Sequence, residues 1–178
     1  MIEGSEHSMV LKTKSMRSKI RRREILNKMH KIPEIKEILE HELFISLESF
    51  RHHGSISCLE HSLSVAIKAF EMARGGRADE IATTRAALLH DFYLYDWHID
   101  SPGLHGFKHP YIALRNAQKY FTLSNIEKDA IKRHMWPLTP IPPRYRESMI
   151  VSIADKAVTW EDYLGRMKNE KHELCSEL

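Results

Sequence analysis

The stretch Ser57–Gly76, SCLEHSLSVAIKAFEMARGG, decides the fold class. Ser57 with Glu60 three residues on is a capping-box pattern: the serine oxygen takes a free amide of the first helical turn, and the glutamate reaches back to the serine amide. Leu59, Leu63, Ile67 and Phe70 follow at helical spacing and line one side. Gly75-Gly76 stops the helix, since glycine adopts the left-handed backbone that a helix end favours. The pattern continues on both sides. Upstream, Ile20, Ile25, Leu26 and Met29 alternate with Arg21, Arg22 and Arg23 in a basic amphipathic helix over 15–31. Pro33 opens a second helix carrying Ile35, Ile38, Leu39, Leu43 and Leu47, which is expected to end near Phe50. Downstream, helices are expected over 78–94, from Pro110, from the capping box Ser124/Glu127 to about His134, and over 146–164. Between them, 96–107 holds Pro102, Gly103 and Gly106 and reads as a loop, and four prolines from Pro137 to Pro143 exclude a helix over 136–143. The fold class is all-α, a single bundle of about six to eight helices.

Composition agrees with this. A chain of 178 residues suits one domain with a sizeable core. Residues 1–14 are expected as a flexible arm, and 15–178 as the domain. Apolar types make up 42% and charged types 29%, which fits a globular protein and excludes a disordered tail. Seven glycines and seven prolines are too few for the many turns of an all-β sandwich. No apolar run approaches the roughly 18–20 residues that cross a bilayer. Glu3 and Glu6, with no apolar run after them, argue against a secretory signal. Cys58 and Cys175 are the only cysteines, so no disulfide framework is expected and a cytoplasmic location is. The net charge of +3 is local: seven Lys/Arg and no acid lie between Leu11 and Arg23, leaving 20 basic against 24 acidic residues elsewhere. That segment reads as a solvated arm or polar first helix ahead of a nucleic-acid or anionic-membrane contact. Neither membrane nor nucleic acid is an expected partner, and a homodimer is left open.

Twelve histidines stand out, and their positions matter more than their number. His61, His90, Asp91, His109, His134 and Asp155 are of the imidazole and carboxylate types that divalent first-row metals accept. Each lies within or at the edge of an expected helix, so rigid elements could aim them at a common point. Neighbours on a helix diverge by about 100°, so His90 and Asp91 reach one centre only when it lies between their directions. A carboxylate has two oxygens and can bridge two ions, which an imidazole nitrogen cannot. Asp155, among Ile153, Ala154 and Ala157, is costly to bury unless paired or metal-bound. Taken singly, each histidine reads as a hydrogen-bonded core or surface residue, and Asp155 as an exposed acid paired with Lys156 or a nearby arginine. Jointly they form an ordered set.

That set resembles the H…HD…D signature of HD-domain metal-dependent phosphohydrolases, in the contexts His61-Ser-Leu-Ser-Val65-Ala66, Ala87-Leu-Leu-His90-Asp91 and Ile153-Ala-Asp155-Lys156. The resemblance covers about Gly54–Leu164 and implies a helical bundle. His109 and His134 resemble the extra ligands of the dinuclear branch. The implied cofactors are two divalent metal ions, iron first, with manganese, cobalt or zinc as alternatives. His61, His90, Asp91 and Asp155 would hold the first ion, and Asp91 would bridge to a second held by His109 and His134. The Gly-Tyr-Pro motif of cyclic-dinucleotide phosphodiesterases is missing, as is the Glu-Asp pair of guanosine-tetraphosphate hydrolases. Bacterial diadenosine tetraphosphate hydrolases are nearer, with similarly placed histidines and an Ala-Asp-Lys segment. The runs Phe92-Tyr-Leu-Tyr-Asp96 and Pro110-Tyr-Ile-Ala and the Trp136–Pro143 loop depart from their pattern.

The resemblance implies hydrolysis of a phosphoester or phosphoanhydride in a small phosphorylated substrate, with a nucleotide expected. A hydroxide bridging the two metals would attack, because paired cations lower the pKa of water and neutralise phosphate charge. Asp91 and Lys156 are the expected catalytic residues, the lysine as a cation for a phosphate oxygen. Arg115, Arg133, His53 and Asp96 are further candidates for substrate contact. His53 belongs to His52-His53-Gly54, which reads as a polar helix terminus ahead of a lining of the pocket mouth, and Asp96 to a loop with Trp97 and His98. Trp97 and Trp136 are candidates to stack a base. Two other readings compete: a dinuclear iron oxygenase of the HD type, and a non-catalytic nucleotide-binding regulator.

Overall fold

The computed structural model describes the backbone of residues 3–53, 56–95 and 105–164, and the side chains of these except at 3–15, 53 and 105. A long helix α1 (Glu3–His30) leads to two short ones, α2 (Pro33–Leu39) and α3 (Glu42–Ile45), and a 3-10 turn over Ser46–Ser49. An antiparallel hairpin of β1 (Arg51–His53) and β2 (Ile56–Ser57) then feeds α4 (Cys58–Ala73). After it come α5 (Glu80–Leu89), α6 (His105–Tyr120), α7 (Asn125–Arg133) and α8 (Arg146–Tyr163). The all-α class holds; the small hairpin is an addition.

Helix α4 begins as the capping box requires. Ser57 Oγ accepts from the Glu60 amide and the Glu60 carboxylate accepts from the Ser57 amide, both at 3.1 Å. It ends before Gly75, whose φ of +72° is the left-handed turn glycine permits. From Cys58 to Phe70 only Lys68 escapes burial, so α4 is an inner helix, packed against α5 and α8. Buried Ala66 and Ala69 on α4 and Ala86 and Ala87 on α5 suit close helix contact, and Leu63, Leu88 and Phe92 fill the core. Each leucine so buried stabilises the fold by roughly 1.5–3 kcal/mol. Ser124 and Glu127 form the second capping box, at the start of α7.

Several boundaries differ from expectation. The helix expected over 33–50 breaks at Glu40-His41, where His41 is extended and its Nδ1 accepts from the Leu43 amide at 3.2 Å. On an unbroken helix Leu39 and Phe44, five residues apart, would diverge by about 140°. The break lets both be fully buried. The helix expected over 78–94 stops at Leu89, with Asp79 as its N-cap and His90 as its C-cap. Helix α6 starts at His105, so Pro110 lies inside it and forgoes one amide bond near the first turn. Residues 3–14 continue α1 as helical backbone; no proline interrupts the stretch, and its Met, Leu and Lys residues favour helix.

Helix α1 buries Ile25, Leu26 and Met29, and its basic residues pair locally: Arg21 Nε with Glu71 at 2.5 Å, Arg22 Nη2 with Ser64 Oγ at 2.9 Å. Among the described residues, no helix is long and apolar enough to cross a membrane. Arg85 of α5 is the main internal tie. Its guanidinium donates to Glu127 of α7 at 2.5 Å, to the Thr122 carbonyl at 3.0 Å and to the Glu34 carbonyl of α2 at 2.5 Å.

Candidate metal centre

Side chains from α4, the end of α5, α6, the end of α7 and α8 converge on one buried point. His61, His90, Asp91, His109, His134 and Asp155 are all buried, and all six meet there. Asp155 Oδ1 stands 3.2 Å from His61 Nε2 and 3.7 Å from His90 Nε2. Asp91 divides the cluster. Its Oδ2 lies 3.5 Å from His90 Nε2, while its Oδ1 lies 3.3 Å from His109 Nε2 and 3.6 Å from His134 Nε2.

Local structure aims these rings. His90 caps α5 and His134 caps α7, each one residue past the helix. His90 Nδ1 donates to the Ala87 carbonyl at 2.7 Å, and His134 Nδ1 to the Ile131 carbonyl at 2.8 Å. A carbonyl only accepts, so in the neutral rings the proton sits on Nδ1 and Nε2 presents a lone pair to the centre. His61 Nδ1 faces Asp162 Oδ2 at 3.4 Å, an arrangement that turns its Nε2 inward in the same way. The turn after Asp91 is held by Asn116, whose amide donates to the Phe92 and Tyr93 carbonyls at 3.0 and 3.1 Å.

The electrostatics follow from burial and crowding. Burial opposes the charged form of Asp91, yet His90, His109, His52 and His134 hold its carboxyl far below the usual carboxylate range. Asp155 is lowered likewise, burial being outweighed by the hydrogen bond from His61 and by the nearness of His90 and His134. Burial works against a charged His90, but Asp91 and Asp155 prevail and raise it. Burial, with His90 and His109, pushes His134 down to about 3, so that ring is neutral. Among the described residues, His90 Nε2 and Asp91 Oδ1 are buried without a hydrogen-bond partner. Buried polar atoms left so are costly, and bare imidazole nitrogens beside carboxylate oxygens are the donor set a divalent cation takes. The residues therefore fit a metal; three groups, His61/His90/Asp155, His90/Asp91/His134 and His52/His61/Asp91, each bring three ligand atoms within 4.8 Å of one another.

A cavity of about 870 Å³ opens over the cluster, and His52, Asp91, His109, His134, Asp155 and Lys156 lie on it. Lys156, partly exposed, donates to the His134 carbonyl at 2.7 Å and to Ser152 Oγ at 3.0 Å, tying α8 to the end of α7. The remaining expected contacts fare differently. Arg115 is exposed on α6 and is not among the described lining residues. Arg133 is likewise off the cavity, held by Asp129 at 2.9 Å and the Pro142 carbonyl at 2.6 Å. Trp136 does not line it, although Met135, Pro137 and Leu138 do. The side chain of His53, and all of Asp96, Trp97 and His98, lie outside the described residues.

Two residues join the centre that the ligand set omitted. His52 stacks on His61 with ring centroids 3.8 Å apart and brings Nδ1 to 3.5 Å from Asp91 Oδ2. Asp162 lies seven residues after Asp155, a spacing that returns to nearly the same helix face, so its sequence signal was available.

The comparisons agree with this geometry. The HD domain family model matches residues 58–160, more than half of the chain, and the protein belongs to that family. It is a family of metal-dependent phosphohydrolase-type proteins, and the buried His/Asp cluster falls within the matched span except for His52 and Asp162. No curated protein and no solved structure matches the chain.

Proposed function

We propose that the protein is a dinuclear metal-dependent phosphohydrolase that cleaves a phosphoester or phosphoanhydride bond in a small substrate, a nucleotide being expected. The observation that carries this reading is Asp91: one oxygen faces His109 and His134, the other faces His90, and both lie at the floor of an 870 Å³ cavity. His61, His90, Asp91 and Asp155 would hold one ion, and Asp91, His109 and His134 the other. Iron, manganese, cobalt and zinc all accept such ligands. Bound there, divalent cations supply a lowered pKa for water and neutralise phosphate charge. The chain's own groups do the rest. The carbonyls of Ala87 and Ile131 keep the protons of His90 and His134 on Nδ1, away from the centre. Lys156 offers the ammonium that meets a phosphate oxygen above the floor. Met135 and Leu138 give the cavity apolar lining beside the His/Asp cluster.

The test joins metal analysis to a panel of phosphorylated substrates. Wild-type protein is expected to carry two metals per chain and release phosphate anaerobically, and Asp91→Asn to lose the metals. Retention of both metals by Asp91→Asn would refute the bridging role. Oxygen uptake without phosphate release would replace hydrolysis by oxygenation. Nucleotide binding without turnover, metals being present, would make the protein a regulator.

A further inference from the structure

We propose that Asn116 is the positioning residue of the second ion: it docks α6, and with it His109, on the turn that carries Asp91, so that one half of the centre depends on it and the other does not. The proposal rests on the dinuclear reading above and concerns how the two positions come to differ.

The two sets of ligands hang on different parts of the fold. His61, His90 and Asp155 come from α4, the end of α5 and α8, three helices that pack on one another. His134 follows α7, and its carbonyl accepts from Ser152 Oγ and Lys156 Nζ of α8, both at 2.7 Å, so it is tied to the same group of helices. His109 is the exception. It stands on α6, which packs chiefly on α7 and only lightly on α5. Its Nε2 nevertheless lies 3.3 Å from Asp91 Oδ1, just past the end of α5.

Asn116 supplies the link. It comes seven residues after His109, nearly two full turns, so both side chains leave α6 on one face, about 10 Å apart along the axis. Ala113 and Ala117 between and beside them are fully buried and let the helix come close. Nδ2 of Asn116 donates to the Phe92 carbonyl at 3.0 Å and to the Tyr93 carbonyl at 3.1 Å. A carbonyl only accepts, so both protons of one amide nitrogen are engaged, a fork that leucine or alanine cannot offer. Phe92 and Tyr93 are buried, and partners lost there are costly to replace. The same turn includes Asp91, whose carbonyl accepts from the Tyr93 amide at 2.9 Å. Fixing the turn to α6 therefore fixes Asp91 relative to His109. The Tyr93 ring also meets the His109 ring edge-on, with centroids 6.0 Å apart, across the same joint. A shift of α6 against the turn moves a ligand of the second position, while His61, His90 and Asp155 keep their places. Groups that orient a metal ligand are typically worth 10- to 100-fold in metal affinity.

The experiment titrates metal-free protein with cobalt(II) by calorimetry and chelator competition, as wild type, Asn116→Leu, Asn116→Ala, His109→Ala and the double variant His109→Ala/Asn116→Leu. Far-ultraviolet circular dichroism first establishes that each is folded, and the alanine, which adds no bulk, decides if leucine misfolds. Wild type is expected to bind two ions per chain. Asn116→Leu and Asn116→Ala should each weaken one of them about 10- to 100-fold and leave the other within about twofold. His109→Ala should lose the same ion, and adding Asn116→Leu to it should leave the remaining ion within about twofold, because the asparagine acts through the histidine. A role in packing alone would move both ions together or neither. Both ions weakened alike, neither weakened, further loss in the double variant, or misfolding of both Asn116 variants would each overturn the proposal, while two ions on wild type leave the dinuclear reading standing. One ion or none on wild type would remove that reading and this one with it.

Discussion

Replacing Arg85 by methionine tests whether the bundle that carries the centre is held as described. The guanidinium is buried, with Nε 2.5 Å from Glu127 Oε1 and further bonds to the Glu34 and Thr122 carbonyls, so it joins α2, α5 and the start of α7. Methionine keeps much of the volume and strands the Glu127 carboxylate, which is itself buried and caps α7 through the Ser124 amide. Breaking one side of a buried pair costs about 3–5 kcal/mol. For a chain of this size that lowers Tm by roughly 6–20 °C. The assay is thermal or urea unfolding followed by circular dichroism. The double variant Arg85→Met/Glu127→Gln removes the stranded charge and keeps an oxygen for the Ser124 amide, so it should recover most of the loss. A single variant that costs under about 1 kcal/mol, or a double variant no better than the single, would refute the account.

His52→Ala removes the ring stacked on His61 and facing Asp91. Metal affinity, measured by chelator competition, is expected to fall roughly 10- to 100-fold, and unchanged affinity would exclude His52 from the centre. Lys156→Met should retain the metals and lower phosphate release at least tenfold. It should also cost about 1 kcal/mol in unfolding, because the bonds to the His134 carbonyl and Ser152 are lost. Unchanged kinetics would leave the lysine as a tether alone.

The helical order of the chain was readable because its signals are local. Both capping boxes lie within four residues, and the stop at Gly75 rests on one backbone angle. The break at His41 was not readable, since it exists to bring Leu39 and Phe44 into one core. Arg115 is near His109 in sequence only. Six residues along a helix amount to a rotation of about 240°, which carries it to the far side. Asp162 is the converse, a seven-residue spacing that restores the face of Asp155 and could have been noticed.

His52 shows where local reading stops. Adjacent strand residues face opposite ways, so the choice between His52 and His53 depends on the register of a hairpin whose two strands carry little hydrophobic pattern. The types and order of the clustered histidines and aspartates, and the helices that bear them, follow from the amino-acid sequence alone, because capping and periodicity are properties of a few neighbouring residues. Which of those side chains meet, how Asp91 is shared between two sets of histidines, and which aromatic rings border the cavity depend on how each helix is rotated about its axis. That rotation is set by packing between segments far apart in the chain, and no single segment encodes it.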